Sequence, residues 1–174
     1  SIPAEVRLYD RLFTSENPVK VPVGDHFTDN LNPDSLKILK ECKIEPAISK
    51  NKIVLCDRFI DSTLAYQVHG KGVNKNLVDS VHKYILGGIK PDLTFILKVN
   101  ISKAFQRLKK RKKKNRYDKF SKHFYQKVQN AFIKIAKADK KRYIILETSK
   151  DTKDTEKIIF SKFTKILQDE NKKN

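Results

Sequence analysis

Asp57 and Arg58 stand side by side where the short apolar run Ile53-Val54-Leu55 ends. A guanidinium offers a planar fork of donors that matches a phosphate better than an ammonium does. A carboxylate at a strand end is a common place to hold a hydrated divalent cation through water. Asp61, Ser62, Thr63, Tyr66 and Gln67 then crowd five hydrogen-bonding side chains into one short segment. A core does not need that density of polar groups, whereas a site that reads a polar ligand does. The competing structural readings are an Arg58–Asp57 ion pair, a core tyrosine with a satisfied hydroxyl, and Ser62 as a helix N-cap.

These residues need a strand to deliver them and helices to frame them. Ile53 to Cys56 reads as that strand, and open α/β sheets place charged groups in a crevice at such carboxyl ends. Ser62 to Val68 reads as the start of a helix. Asn76 to Leu86 is amphipathic, with Leu77, Val78, Val81, Tyr84 and Ile85 apolar at 3–4 spacing, and Gly87-Gly88 should end it. Leu93 to Val99 reads as a buried parallel strand. Asn100 should cap a helix from Ile101 to about Lys109. Tyr117, Phe120, Phe124, Val128, Phe132 and Ile135 mark a long helix, and Tyr143 to Leu146 a last strand. Ile158, Ile159, Phe163, Ile166 and Leu167 belong to a final helix before a polar tail at 169–174. Upstream, Pro3 to Phe13 reads as a short helix, Thr14 to Pro33 as loop, and Asp34 as the cap of a helix through about Lys43. Strands separated by helices predict an α/β fold in a single domain over residues 1–174.

Composition narrows the function classes. No stretch approaches the ~18 apolar residues of a membrane helix, and no signal-peptide apolar region is visible. Cys42 and Cys56 are the only cysteines, which fits a reduced, cytoplasmic protein without a disulfide framework. His26, His69, His82 and His123 show no metal-ligand spacing. The net charge is +18, and nine of the fifteen residues from Ser102 to Arg116 are Lys or Arg. That run reads either as a nucleic-acid-binding arm or as a cover over nucleotide phosphates. Stacking aromatics are missing between Phe105 and Tyr117, which argues against nucleic acid.

Asp57-Arg58-Phe59, Ser62-Thr63 and Ala65-Tyr66-Gln67 together resemble the signature of bacterial thymidylate kinases. The resemblance continues through Pro91-Asp92 and LTFILKV, through Ala104, Arg107 and Arg111, and through Arg116-Tyr117-Asp118 with Phe124, Val128 and Phe132. It covers residues 45–167, with 1–44 divergent. It implies a P-loop kinase-like three-layer sandwich around a parallel sheet, and transfer of the γ-phosphoryl of ATP to dTMP with Mg²⁺, giving dTDP. It implies Arg58 as the clamp on the acceptor phosphate and Asp57 as a catalytic group that also meets the Mg²⁺ water shell. Tyr66 would pack against the sugar, and Ser62, Thr63 and Gln67 would contact the acceptor. Arg107, Arg111 and Arg116 would form a lid over the ATP phosphates, with Arg116 catalytic. A homodimer through helices flanking the sheet is the implied assembly.

Two departures stand beside that resemblance. No GxxxxGK[ST] occurs in the 174 residues, and that loop supplies much of the positioning and charge neutralisation of phosphoryl transfer. Ser1 to Arg7 resembles the family helix just beyond an Arg-Glu-Pro-Gly-Gly segment. The chain therefore reads as a family member without the N-terminal strands and phosphate loop, whether fragment or short paralogue, and poor ATP turnover is expected of it. A sheet without those strands would leave the core open there. The chain also has no Arg between Arg11 and Arg58, where the family stacks one on the thymine ring. A non-catalytic nucleotide-binding domain is the alternative of different class, and a basic nucleic-acid-binding protein the third.

Overall fold

The computed structural model describes residues 19–21, 33–109, 120–148 and 152–171. The chain runs β1 (Val19–Val21), α1 (Pro33–Leu39), a π-helical turn (Lys40–Ile44), α2 (Glu45–Ile48) and β2 (Val54–Cys56). It continues through α3 (Ile60–Thr63), a second π-helical turn (Leu64–Gly70), α4 (Lys75–Leu86) and β3 (Thr94–Lys98). Then come α5 (Ile101–Lys109), α6 (Lys122–Ala138), β4 (Tyr143–Glu147) and α7 (Thr152–Asn171). Both strand pairings are parallel, with helices between, as the α/β expectation requires.

The described strands do not form one sheet. β1 pairs with β2, with Val19 opposite Val54, and β3 pairs with β4, with Ile96 opposite Ile145. β2 and β3 therefore each have a single hydrogen-bonded neighbour among the described strands. This explains why the continuous apolar run of β3 is less buried than expected. Ile96 alone is fully buried and its strand neighbours are half-buried. The charged Lys98 pairs with Glu147 across the strands at 3.0 Å.

β1 corrects the expectation of loop from Thr14 to Pro33. Pro18 and Pro22 bracket Val-Lys-Val, so the breaker signals mark the limits of a three-residue strand. Three other boundaries move. The helix expected from Ser62 begins at Ile60, and its N-cap is Phe59, in extended backbone and without a side-chain cap. Ser62 is thus inside the helix, its N–H donating to the Phe59 carbonyl at 2.9 Å. The long aromatic helix is described from Lys122, where Ser121 Oγ accepts from the Phe124 N–H at 3.2 Å. The last helix continues through Asn171, into the segment read as a polar tail. The Pro3–Phe13 helix lies outside the described residues.

Capping chemistry starts α5 and ends α4 where expected, whereas Asp34, read as a cap, lies inside α1. Asn100 Oδ1 accepts from the N–H groups of Ser102 and Lys103 at 3.0 and 3.2 Å. Gly87 closes α4 in the left-handed region at φ 59°, which its missing Cβ permits.

Helix α6 organises the core. Ala65 packs with Val128 and Ala131, flanked by Tyr66, Phe124 and Phe132. Ile96 packs with Ala136 and Tyr143, again against Phe132. Phe132 therefore joins the π-helical turn to the β3–β4 pair. A separate cluster of Leu39 and Ile44 covers β2 through Val54 and Cys56.

The second π-helical turn ends at Gly70, where α6 leaves no room for a side chain. A Cβ there would stand 2.8 Å from Phe124 Cε2 and 3.3 Å from Val128 Cγ2. Gly70→Ala should destabilise the protein by about 1–3 kcal/mol through overpacking. Urea unfolding checks this, with a lowered midpoint at unchanged slope as the expected result.

Candidate acceptor site at the end of β2

The chain leaves β2 through a bend that ordinary residues resist. Arg58 adopts φ 62°, a left-handed backbone that costs a non-glycine residue about 1 kcal/mol or more. Cys56 helps hold it, since its Sγ–H donates to the Arg58 carbonyl at 3.3 Å. The bend turns the Arg58 guanidinium over the ring of Tyr66, 5.5 Å from its centroid. Arg58 is exposed and Tyr66 half-buried, so a cation and an aromatic face share one open surface.

Tyr66 is itself braced. Its ring lies 6.2 Å from Phe124 and 6.2 Å from Phe132, the latter edge-on at 76°. Phe124 stacks on Phe120 at 4.2 Å. Phe105 of α5 meets Tyr125 edge-on at 5.5 Å, and Lys122 Nζ donates to Ser102 Oγ at 3.2 Å. The aromatic face of α6 thus supports the tyrosine and also holds the helix that leads into the basic run.

The five polar side chains divide by burial. Asp61, Ser62 and Gln67 are buried, and Thr63 is half-buried beside Tyr66. Asp61 points away from any ligand surface: Tyr143 Oη donates to its Oδ1 at 2.6 Å and Arg142 Nη2 to its Oδ2 at 2.8 Å. Its place in the crowded segment therefore serves the fold. No sequence pattern links it to partners 81 and 82 residues away. The aromatic support of Tyr66 by Phe124 and Phe132 was present in the helix periodicity, but that periodicity does not say which helix faces it.

Asp57 is half-buried at the end of β2. Among the described residues no group of three His, Cys, Asp or Glu side chains converges on a metal position. A single carboxylate fits Mg²⁺ that arrives with nucleotide phosphates and keeps several waters, rather than an ion caged by protein. Arg107 lies on α5, and Arg111 and Arg116 are outside the described residues.

Burial, reinforced by the Asp57 charge, pushes the Cys56 thiol up to about 12. It therefore stays protonated, as its donor role requires, and is a poor nucleophile. Cys42 is exposed. Iodoacetamide on the native protein at pH 8 should modify Cys42 and leave Cys56 intact. Peptide mass mapping reads the outcome, and equal labelling would show that the β2 end is open.

Known proteins resemble this chain in sequence and fold. The thymidylate kinase family model matches residues 37–159. A second model, for the anticodon-binding domain of class I tRNA synthetases (E and Q), matches residues 1–54, less than a third of the chain. A thymidylate kinase from Wolbachia pipientis subsp. Culex pipiens is 36% identical over 159 residues, covering 86% of this chain and 74% of the relative. One from Ehrlichia chaffeensis is 36% identical over 127 residues, covering 72% of this chain and 60% of the relative. One from Wolbachia pipientis wMel is 46% identical over 94 residues, covering 53% and 45%. The chain thus spans between about half and three quarters of the length of these curated relatives. The crystal structure of thymidylate kinase from Ehrlichia chaffeensis aligns with TM-score 0.60 at 23% identity, covering 94% of this chain and 89% of that one. That likeness shows the P-loop kinase-like α/β fold expected from the sequence.

Proposed function

Because the chain belongs to the thymidylate kinase family, we propose that the end of β2 and the helix after it form the acceptor site of a dTMP kinase. The observation that carries this reading is the left-handed Arg58, exposed itself, whose guanidinium lies over the ring of the half-buried Tyr66. Strain at a non-glycine residue persists where the surroundings over-determine it, and such positions cluster at functional sites. A nucleoside monophosphate offers the matching pair of groups, a phosphate for the fork of Arg58 and a sugar for the ring. The half-buried Thr63 at the end of α3 would contact the acceptor, with the buried Ser62 of α3 and Gln67 of the π-helical turn behind it.

The reaction is transfer of the γ-phosphoryl of ATP to dTMP. An oxygen of the acceptor phosphate forms a bond to the γ-phosphorus while the bond to the β-phosphate bridging oxygen breaks, giving dTDP and ADP. Arg58 fixes the attacking phosphate, and Arg107, Arg111 and Arg116 neutralise charge on the group in flight. Asp57 would hold the water shell of a Mg²⁺ ion bound with the nucleotide phosphates. Mg²⁺, when bound with ATP, screens the phosphate oxygens. Donor binding needs a phosphate loop, and the 174 residues contain no GxxxxGK[ST]. The described residues thus support acceptor binding more directly than the complete reaction.

We propose a second copy of the chain as the partner of α1 and α4, which pack on each other. Ile38 on α1 and Leu77 and Tyr84 on α4 are exposed, Tyr84 to 88%. No helix among the described residues is long and apolar enough to cross a membrane. The proposed nucleotide-pool reaction belongs to the cytoplasm.

Calorimetric titration with dTMP, against dCMP and UMP, tests the site. Selective dTMP binding is expected, with ATP turnover by this chain alone far below an ordinary kinase rate. Arg58→Ala should weaken dTMP binding by about 1.5–3 kcal/mol, the range for a hydrogen bond to a charged group. Equal affinity for all three nucleotides would remove the selectivity for dTMP, and an unchanged Arg58→Ala affinity would remove the phosphate clamp.

A further inference from the structure

Asp61 is a buried carboxylate that the phosphoryl-transfer chemistry leaves unused. It is 6% exposed, and both of its oxygens are taken by residues 81 and 82 positions later in the chain. Those residues, Arg142 and Tyr143, stand at the head of β4. Asp61 stands in the first turn of α3, three residues after Arg58 and five before Tyr66. The contact therefore ties the segment carrying the acceptor groups to the other strand pair, with which β2 shares no ladder.

The geometry favours orientation over bare stability. Arg142 reaches Asp61 through one nitrogen, and its buried Nε has no hydrogen-bond partner among the described residues. A buried ion pair held by one nitrogen of the fork, with a neighbouring donor unsatisfied, is weak evidence for stabilisation. What it does specify is direction. The Tyr143 hydroxyl at 2.6 Å and the guanidinium at 2.8 Å approach different oxygens of one carboxylate, which fixes that carboxylate in position. The Arg142 guanidinium also lies 4.6 Å from the Tyr143 ring centroid, so the two donors brace each other. Burial and the Asp61 charge hold the Tyr143 phenol well above its usual range, so it remains a donor at all working pH.

We propose that Asp61 is a positioning residue. By clasping Arg142 and Tyr143 it sets the angle at which α3 and the following π-helical turn present Tyr66 beneath Arg58. The proposal rests on the acceptor-site reading for its functional consequence, but not for its structural one.

Tyr143→Phe removes one donor while keeping the ring, and Asp61→Asn removes the charge while keeping the shape. Each variant, measured well below its melting temperature, should show a dTMP Kd raised about tenfold or more. Their double mutant should lose little beyond the worse single one, because both break the same clasp. Hydrogen exchange supplies the independent readout: protection at residues 64–73 should fall in both variants while α7 is unchanged. Folded Tyr143→Phe protein with parental dTMP affinity and parental protection at 64–73 would overturn the proposal. If the parent binds no dTMP, the acceptor reading fails by itself, and the exchange at 64–73 still decides whether Asp61 positions the turn. Should Asp61→Asn not fold, Tyr143→Phe alone carries the test.

Discussion

The described strands form two parallel pairs that share no hydrogen-bonded ladder, and the rest of the structure answers to that constraint. Something other than backbone pairing must hold β1–β2 and β3–β4 in one body. Two features do it. Helix α6 packs its apolar side against the π-helical turn through Ala65 and Tyr66, and against β3–β4 through Ala136 and Ile135, with Phe132 reaching both clusters. Asp61 adds the polar tie, crossing from the helix after β2 to the first residues of β4. Apolar packing is non-directional, whereas the carboxylate clasp is not, so the two play different parts.

The same arrangement explains why the candidate site lies where it does. The end of a parallel strand is where charged groups can face a crevice without being buried in the sheet. Arg58 sits there in a backbone conformation that ordinary residues avoid, and its guanidinium finds the ring of Tyr66. That ring is held by Phe124 and Phe132, which belong to the helix that joins the halves. Gly70 allows the approach, since any side chain there would meet Phe124. Site geometry and assembly of the halves therefore depend on one set of contacts.

Much of this was legible in the residues. The apolar runs at 53–56, 93–99 and 143–146 are the strands β2, β3 and β4, and Asn100 and Gly87 cap as their chemistry dictates. The signature from Asp57 to Gln67 pointed to the family before any fold was known. Less legible was β1, because three residues between prolines carry too little pattern to distinguish an edge strand from a loop. The role of Asp61 could not be read either. It stands beside the polar Ser62 and Thr63 in sequence, and only the fold brings Arg142 and Tyr143 to it. Helix starts moved by a few residues for a similar reason: Phe59 caps α3 by its extended backbone alone, which no side-chain preference announces.

The central claim is that the end of β2 and the turn bearing Tyr66 receive a nucleoside monophosphate. Amide chemical-shift mapping of the labelled chain during dTMP addition tests it most directly. The account predicts the largest shifts at residues 57–59 and 63–67, with smaller ones at Phe124 and Phe132 and none along α7. Shifts confined to lysine-rich helix surfaces, with residues 57–67 unmoved, would contradict it and show that the basic charge alone draws the nucleotide.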